Sequence, residues 1–293
     1  MMTADHSEPH PVLVLGGTGE GRQLAQSLGA WPQLAVTLSL AGRTAQPQLP
    51  PGRVRVRTGG FGGAEGLADH LRREAVRALV DATHPFAARM SAHAISAARL
   101  AGVPLIAVVR PAWVRQAGDR WIEVADMAGA VAALGAGAQT VFLAIGRQEV
   151  AAFRQANFRQ ANFRQASRHR YVVRSVDPVA PEHLPPGAAV VLARGPFAEE
   201  EERRLFETHG VTVIVAKNSG GEATYGKIAA ARRLGLPVVM VRRPPVDAAG
   251  SAPDATVPDA IVPDAIVPDV AAALAALRRL LPHPPAPPVE RGE

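Results

Sequence analysis

Apolar residues in this chain gather in short runs bounded by glycine, proline or charged positions, with stretches of helical period between them. VLVL (12–15), LAVTLSL (34–40), VRVR (54–57), RALVDA (77–82) and PLIAVV (104–109) form one series. TVFLAI (140–145), YVVRS (171–175), AVVLAR (189–194), VTVIVAK (211–217) and PVVMVR (237–242) form a second. Short strands alternating with helices are the mark of a parallel sheet covered on both faces. The pattern predicts an α/β protein of two Rossmann-like domains with mainly parallel sheets and a cleft between them. The first domain is expected over residues 11–125 and the second over 126–243, joined near 125–137.

Two segments break the alternation. FRQANFRQANFRQAS (153–167) and VPDAIVPDAIVPD (257–269) are tandem pentapeptides, a period that fits neither helix nor strand. Both read as expansions in loops or at helix ends, where extra length costs little entropy. The first is expected to extend a solvent-exposed basic helix. The second is expected to be an extended part of a proline-rich linker over 244–269. VAAALAALRRLL (270–281) predicts a closing helix, between disordered tails at 1–10 and 282–293.

Composition narrows the chemistry. A length of 293 residues suits two domains, and the absence of cysteine removes disulfides, iron–sulfur clusters, thiolate metal sites and cysteine nucleophiles together. No metal site is expected. No apolar run reaches the ~20 residues of a membrane helix, and the N-terminus lacks the order of a signal peptide, so a cytoplasmic location is expected. The net charge of +6 asks for an anionic partner. Nucleic acid is disfavoured, because the arginines are scattered and only 4% of residues are aromatic. The only two lysines, Lys217 and Lys227, stand together in KNSGGEATYGK (217–227).

The stretch GGTGEG (16–21) lies between a strand and a helix, where backbone amides and the helix dipole hold a pyrophosphate. Gly16, Gly17, Thr18, Gly19 and Gly21 are the expected cradle. Glu20 would repel a phosphate, so it is expected to cap helix amides, to hold Arg22, or to face the nicotinamide side of the site. Folds specific for NAD place an acid after the second strand, yet no acidic residue occurs between Glu20 and Glu65. This favours NADPH, with Ser39, Arg43 and Thr44 as candidates for its 2′-phosphate. Gly60, in the glycine loop TGGFGGAEGL (58–67), can approach the ligand closely. Asp81, Thr83 and His84 emerge at the carboxyl end of the fourth strand, with Thr83 a cap for a helix beginning near Pro85. Arg22, Ser39, Arg43, Gly60 and Thr83 complete the expected cofactor contacts.

GGTGEGRQLA, TGGFGG, DATHPFA, RPAW (110–113), ARGPFAEEEE (193–202) and KNSGGEATYGK, in that order from about Val12 to Pro244, closely resemble the precorrin-6A reductase family of cobalamin biosynthesis. The resemblance implies a two-domain enzyme that uses NADPH to reduce one double bond of the precorrin-6A macrocycle, giving precorrin-6B. A tetrapyrrole bearing many carboxylates needs cations, and Arg110, Arg147, Arg174, Arg194 and Lys217 are expected near strand ends. Asn218, Ser219, Gly220 and Gly221 form a second anion-binding turn, and Asp81, His84 and Lys227 are further candidates on the substrate side. His84, Tyr225 and Lys217 are candidate proton donors. A monomer or weak homo-oligomer is expected, with other pathway enzymes as partners. A short-chain dehydrogenase is disfavoured because neither tyrosine has a lysine four residues on. The alternative kept open is an NADP-binding regulatory protein without turnover.

Overall fold

In a computed structural model of the chain, residues 8–161, 169–244 and 263–281 are described. They group into two compact units, residues 8–110 with 244 and 263–281, and residues 111–161 with 169–243.

The first unit is built on β1 (His10–Leu15), β2 (Leu34–Leu40), β3 (Val54–Thr58), β4 (Ala78–Asp81) and β5 (Leu105–Val108), with α1 (Gly19–Gly29), α2 (Ala64–Arg73) and α3 (Ala88–Ala101) between them. Alternation along β1 assigns the two faces of the sheet. Val12 and Val14 pack with Leu24 and Leu28 of α1, while Leu13 and Leu15 pack with Leu67 and Leu71 of α2 and Ala94 and Ala97 of α3. Every strand pair is parallel, and with β12 (Ala265–Val267) included the order is β12-β5-β4-β1-β2-β3. The sixth strand, β12, comes from the far end of the chain and is followed by α8 (Val270–Leu280). This is the 3-2-1-4-5-6 arrangement of dinucleotide-binding folds, and its order reverses between β1 and β4.

The second unit contains β6 (Arg120–Val124), α4 (Met127–Ala133), β7 (Thr140–Ala144), α5 (Val150–Ala161), β8 (Arg170–Ser175), β9 (Ala189–Leu192), α6 (Glu199–His209), β10 (Val213–Lys217), α7 (Gly226–Arg233) and β11 (Pro237–Val241). Its parallel sheet runs β6-β11-β10-β7-β8-β9; the five strands β7 to β11 repeat the order of β1 to β5, with the reversal between β7 and β10, but the sixth position is taken by β6, which precedes them in the chain. Phe142, Ile214 and Met240 pack beneath Phe206 of α6 and Ile228 of α7, and the Phe142 and Phe206 rings meet edge-on at 5.0 Å.

All ten strands expected from the apolar runs are present, and each sheet gains a sixth. β6 (RWIEV) carries Arg120 and Glu123 at a sheet edge, with Ile122 45% exposed, so it lacks the continuous apolar run of a buried strand. β12 lies inside the segment expected as a linker. Its three residues pair with Ile106 to Val108, and the Asp264 carboxylate accepts the Leu105 amide at 2.7 Å. The expected junction at 125–137 is occupied by α4, and the chain passes between units at Arg110 and Pro111. The closing helix is present, capped by Asp269, whose side chain accepts the Ala272 amide at 2.8 Å. Residues 153–161 of the first repeat continue α5, with Phe153 buried against Tyr171. Residues 162–167 of that repeat, 257–262 of the second, 245–256 of the expected linker, 1–7 and 282–293 lie outside the described residues.

Candidate functional site

The carboxyl ends of β1 and β4, where the first sheet's order reverses, carry the glycine turn. Its shape is set by close packing. A Cβ on Gly21 would come within 3.1 Å of the Gly16 Cα and 3.2 Å of the Ala82 carbonyl, both backbone atoms that cannot swing aside. Thr18 caps α1. Its hydroxyl donates to the Ala82 carbonyl at 2.7 Å and accepts the Gly21 amide at 3.0 Å, tying the turn to the end of β4. Among the described residues the amides of Gly17, Thr18 and Gly19 make no hydrogen bond, so three donors stand at the positive end of an eleven-residue helix. That is the donor set a pyrophosphate requires.

Glu20 does not hold Arg22. Its carboxylate takes both oxygens to Arg110 Nη1, at 2.7 and 2.8 Å, with both side chains largely buried. Burial works against the ionised form, but the Arg110 hydrogen bonds and charge outweigh it, with help from the Glu20 backbone amide and Thr18. The carboxyl is held below its ordinary value. The acid is therefore neutralised where it stands, and Arg110, expected on substrate, is engaged by Glu20.

At the end of β4, Asp81 is buried and its Oδ1 accepts the Thr83 amide at 3.0 Å. Thr83 does not cap a helix, because Pro85 and Phe86 form a turn and α3 starts at Ala88 with no side-chain cap. The Phe86 amide donates to His84 Nδ1 at 3.2 Å, which leaves the proton of a neutral ring on Nε2. At the ends of β2 and β3, the buried Ser39 hydroxyl accepts from Arg57 Nη1 at 2.8 Å, and the Arg57 guanidinium also reaches the carbonyls of Gly59 and Gly60. Arg43 is exposed, one residue past Gly42. Sequence reasoning missed Arg57 because it sits inside a strand of alternating arginines; its partners are set by the fold.

In the second unit the matching position, between β7 and β10, is spanned by an ion pair from Lys217 to Glu149. The turn after β10 is locked by packing. Asn218 accepts the Trp113 amide at 2.8 Å and donates to its carbonyl at 2.9 Å, as a strand neighbour would. The Trp113 indole donates to the Gly221 carbonyl at 2.9 Å, and Arg243 donates to the Asn218 carbonyl at 2.8 Å. Gly220 has φ +66°, and a Cβ there would lie 2.0 Å from the Pro111 carbonyl oxygen, so only glycine fits. Tyr225 receives a hydrogen bond from Arg232, which also pairs with the buried Asp119 at 2.9 Å. Lys227 is buried, with its Nζ 4.6 Å from the centre of the Trp113 ring. Arg174, expected on substrate, is buried against Phe197 and paired with Glu202, and Arg147 lies 3.9 Å from Asp177. Burial lowers the Arg174 pKa against the opposing charge of Glu202.

A glycine turn with free amides, set where a parallel sheet of this order reverses, defines a Rossmann-type α/β protein. The particular family follows from sequence. The family model described as precorrin-6x reductase CbiJ/CobK matches residues 11–263. A precorrin-6A reductase of Sinorhizobium sp is 53% identical over 237 residues, covering 80% of this chain and 86% of the relative. One from Rhodococcus erythropolis is 45% identical over 245 residues, covering 83% of this chain and 93% of the relative. A solved structure named CobK precorrin-6A reductase superposes with a TM-score of 0.78 at 40% identity, over 94% of this chain and 98% of that one. The chain belongs to the precorrin-6x reductase family. No helix among the described residues is long and apolar enough to cross a membrane.

Proposed function

We propose that this chain uses NADPH to reduce one carbon–carbon double bond of the precorrin-6A macrocycle, giving precorrin-6B in cytoplasmic cobalamin biosynthesis. The observation that carries the cofactor reading is the capped glycine turn at the reversal of the first sheet, with three unsatisfied amides and its one acid neutralised by Arg110. The relatives argue for the macrocycle. Those named precorrin-6A reductase are 40–53% identical to this chain, whereas those named cobalt-precorrin-6A reductase are 26–29% identical, which favours the metal-free substrate.

In this reading Gly17, Thr18 and Gly19 hold the pyrophosphate, and the strand ends at Ser39 and Arg43 face the adenosine ribose. The bound nicotinamide supplies the hydride. The chain supplies orientation, exclusion of water and a proton for the second carbon of the reduced bond. His84, with its proton on Nε2, is the first candidate for that proton, and Lys217 is the second. Tyr225 is the least suited of the three, since its hydroxyl is held by Arg232. The turn from Asn218 to Gly221 would receive substrate carboxylates, its shape kept by Trp113 and Arg243.

The test is anaerobic oxidation of NADPH by the purified protein, followed by absorbance, with precorrin-6A, with cobalt-precorrin-6A and with NADH in place of NADPH. Turnover that requires the metal-free macrocycle and prefers NADPH is expected. Binding of NADPH without consumption on either macrocycle would instead indicate a regulatory protein.

A further inference from the structure

Arg57 lies at the carboxyl end of β3, and among the described residues no acid pairs with it. Its guanidinium makes three hydrogen bonds, all to neutral oxygens: Ser39 Oγ at 2.8 Å, the Gly59 carbonyl at 3.1 Å and the Gly60 carbonyl at 3.0 Å. A guanidinium has five N–H donors, so two remain without a protein partner among the described residues. Its plane is supported by the Phe61 ring, 3.8 Å below the guanidinium carbon, and Phe61 is flanked in turn by the His70 ring at 5.1 Å. The charge around it is positive. Desolvation and the charge of Arg73 both lower the Arg57 pKa, and desolvation followed by Arg57 lowers that of His70. The nearby acid, Glu74, is shared at 3.4 Å with Arg55 and 3.5 Å with Arg73. A partly buried cation held by neutral oxygens, with its remaining donors unused, is built for an anion supplied from outside the chain.

We infer that Arg57 is a specificity-determining residue for the phosphomonoester on the adenosine ribose of the cofactor, held in place by Ser39 and the Gly59–Gly60 carbonyls. Ser39 occupies the end of β2, the strand on which NAD-specific folds carry the acid that binds the ribose. Here its hydroxyl is turned to Arg57, so the neighbouring strand supplies a cation where those folds present an anion. Ser39 then acts as a positioning residue through Arg57. The inference rests on the NADPH reading above, and it adds a cation that is packed and oriented to the exposed Arg43.

Calorimetric binding of 2′-phospho-ADP-ribose and of ADP-ribose separates this role from a purely structural one, since the ligands differ only in the phosphomonoester and neither reacts. Arg57→Gln, which keeps a donor for the carbonyls and removes the charge, should weaken the phosphorylated ligand by about ten- to a hundredfold and leave the other within about twofold. Arg57→Lys should recover most of the preference. Equal weakening of both ligands, or of neither, would overturn the inference. Should Arg57→Gln fail to fold, Ser39→Ala frees the guanidinium and must narrow the preference by itself; an unchanged ratio would equally overturn the inference. Wild-type protein that binds both ligands alike would sink the NADPH reading itself, an outcome separate from a wild-type preference that survives Arg57→Gln.

Discussion

A glutamate in a phosphate-binding turn is tolerable because Arg110 is delivered to it from the end of β5, ninety residues along the chain. Removing that arginine alone leaves a carboxylate beside the expected pyrophosphate. Arg110→Met should therefore weaken NADPH binding by about tenfold, and Glu20→Gln/Arg110→Met should recover most of the loss, as titrated by cofactor fluorescence. The same pair sets a pH dependence. Glu20 has a folded pKa below its ordinary 4.5, so its stabilising contribution is complete above that value and is lost as pH falls through the folded pKa. Denaturation from pH 7 to pH 3 should show Glu20→Gln less stable than wild type at neutral pH, with the gap closing in acid. A gap that stays constant would mean the pair contributes through packing alone. The acid itself was legible in the sequence, and the local alternatives for it were a helix amide or Arg22. Its actual partner was not legible, since no local pattern brings residue 110 to residue 20.

The elements show how a repeat can acquire work. Two aspartates of the same pentapeptide do different jobs: Asp264 accepts the Leu105 amide at the start of β12, and Asp269 caps α8. Only the last copy runs directly into the helix, and that continuity gives its aspartate a set of amides to bind. Asp269→Ala should cost about 0.5–2 kcal/mol, read as a lowered denaturation midpoint with an unchanged slope. Ten strands were legible: eight lie inside the sheets, where burial on both faces demands an apolar run, and the edge strands β3 and β9 still carry short valine-rich runs. The edge strands β6 and β12 were not. β6 carries a charge on each face and β12 is only three residues long, so neither has the composition that marks a strand.

Across the whole molecule, the first unit is finished by the last described stretch of the chain. Val267, Val270, Ala273, Ala276 and Leu277 bury against the same face as Val12, Val14, Leu24 and Leu28. Burying each large side chain among them contributes ~1.5–3 kcal/mol, so losing three approaches the ~5–15 kcal/mol that holds a domain together. A chain ending at Pro244 should therefore expose the β5 edge and the α1 face, and be recovered as aggregate or as a species that binds a hydrophobic dye. A soluble, cooperatively unfolding product would show that the final strand and helix are dispensable.

The sequence by itself determined the class of fold, the glycine turn, the absence of an acid after β2 and the family, because each is written in contiguous residues whose backbone and burial needs are local. Only the tertiary structure decided that Glu20 belongs to Arg110, that Ser39 belongs to Arg57, that Arg174 is buried against Glu202, and that each sheet closes with a strand from outside its run of five. Those pairings join residues far apart in the chain, and a charge finds its partner only after the strands have set its position.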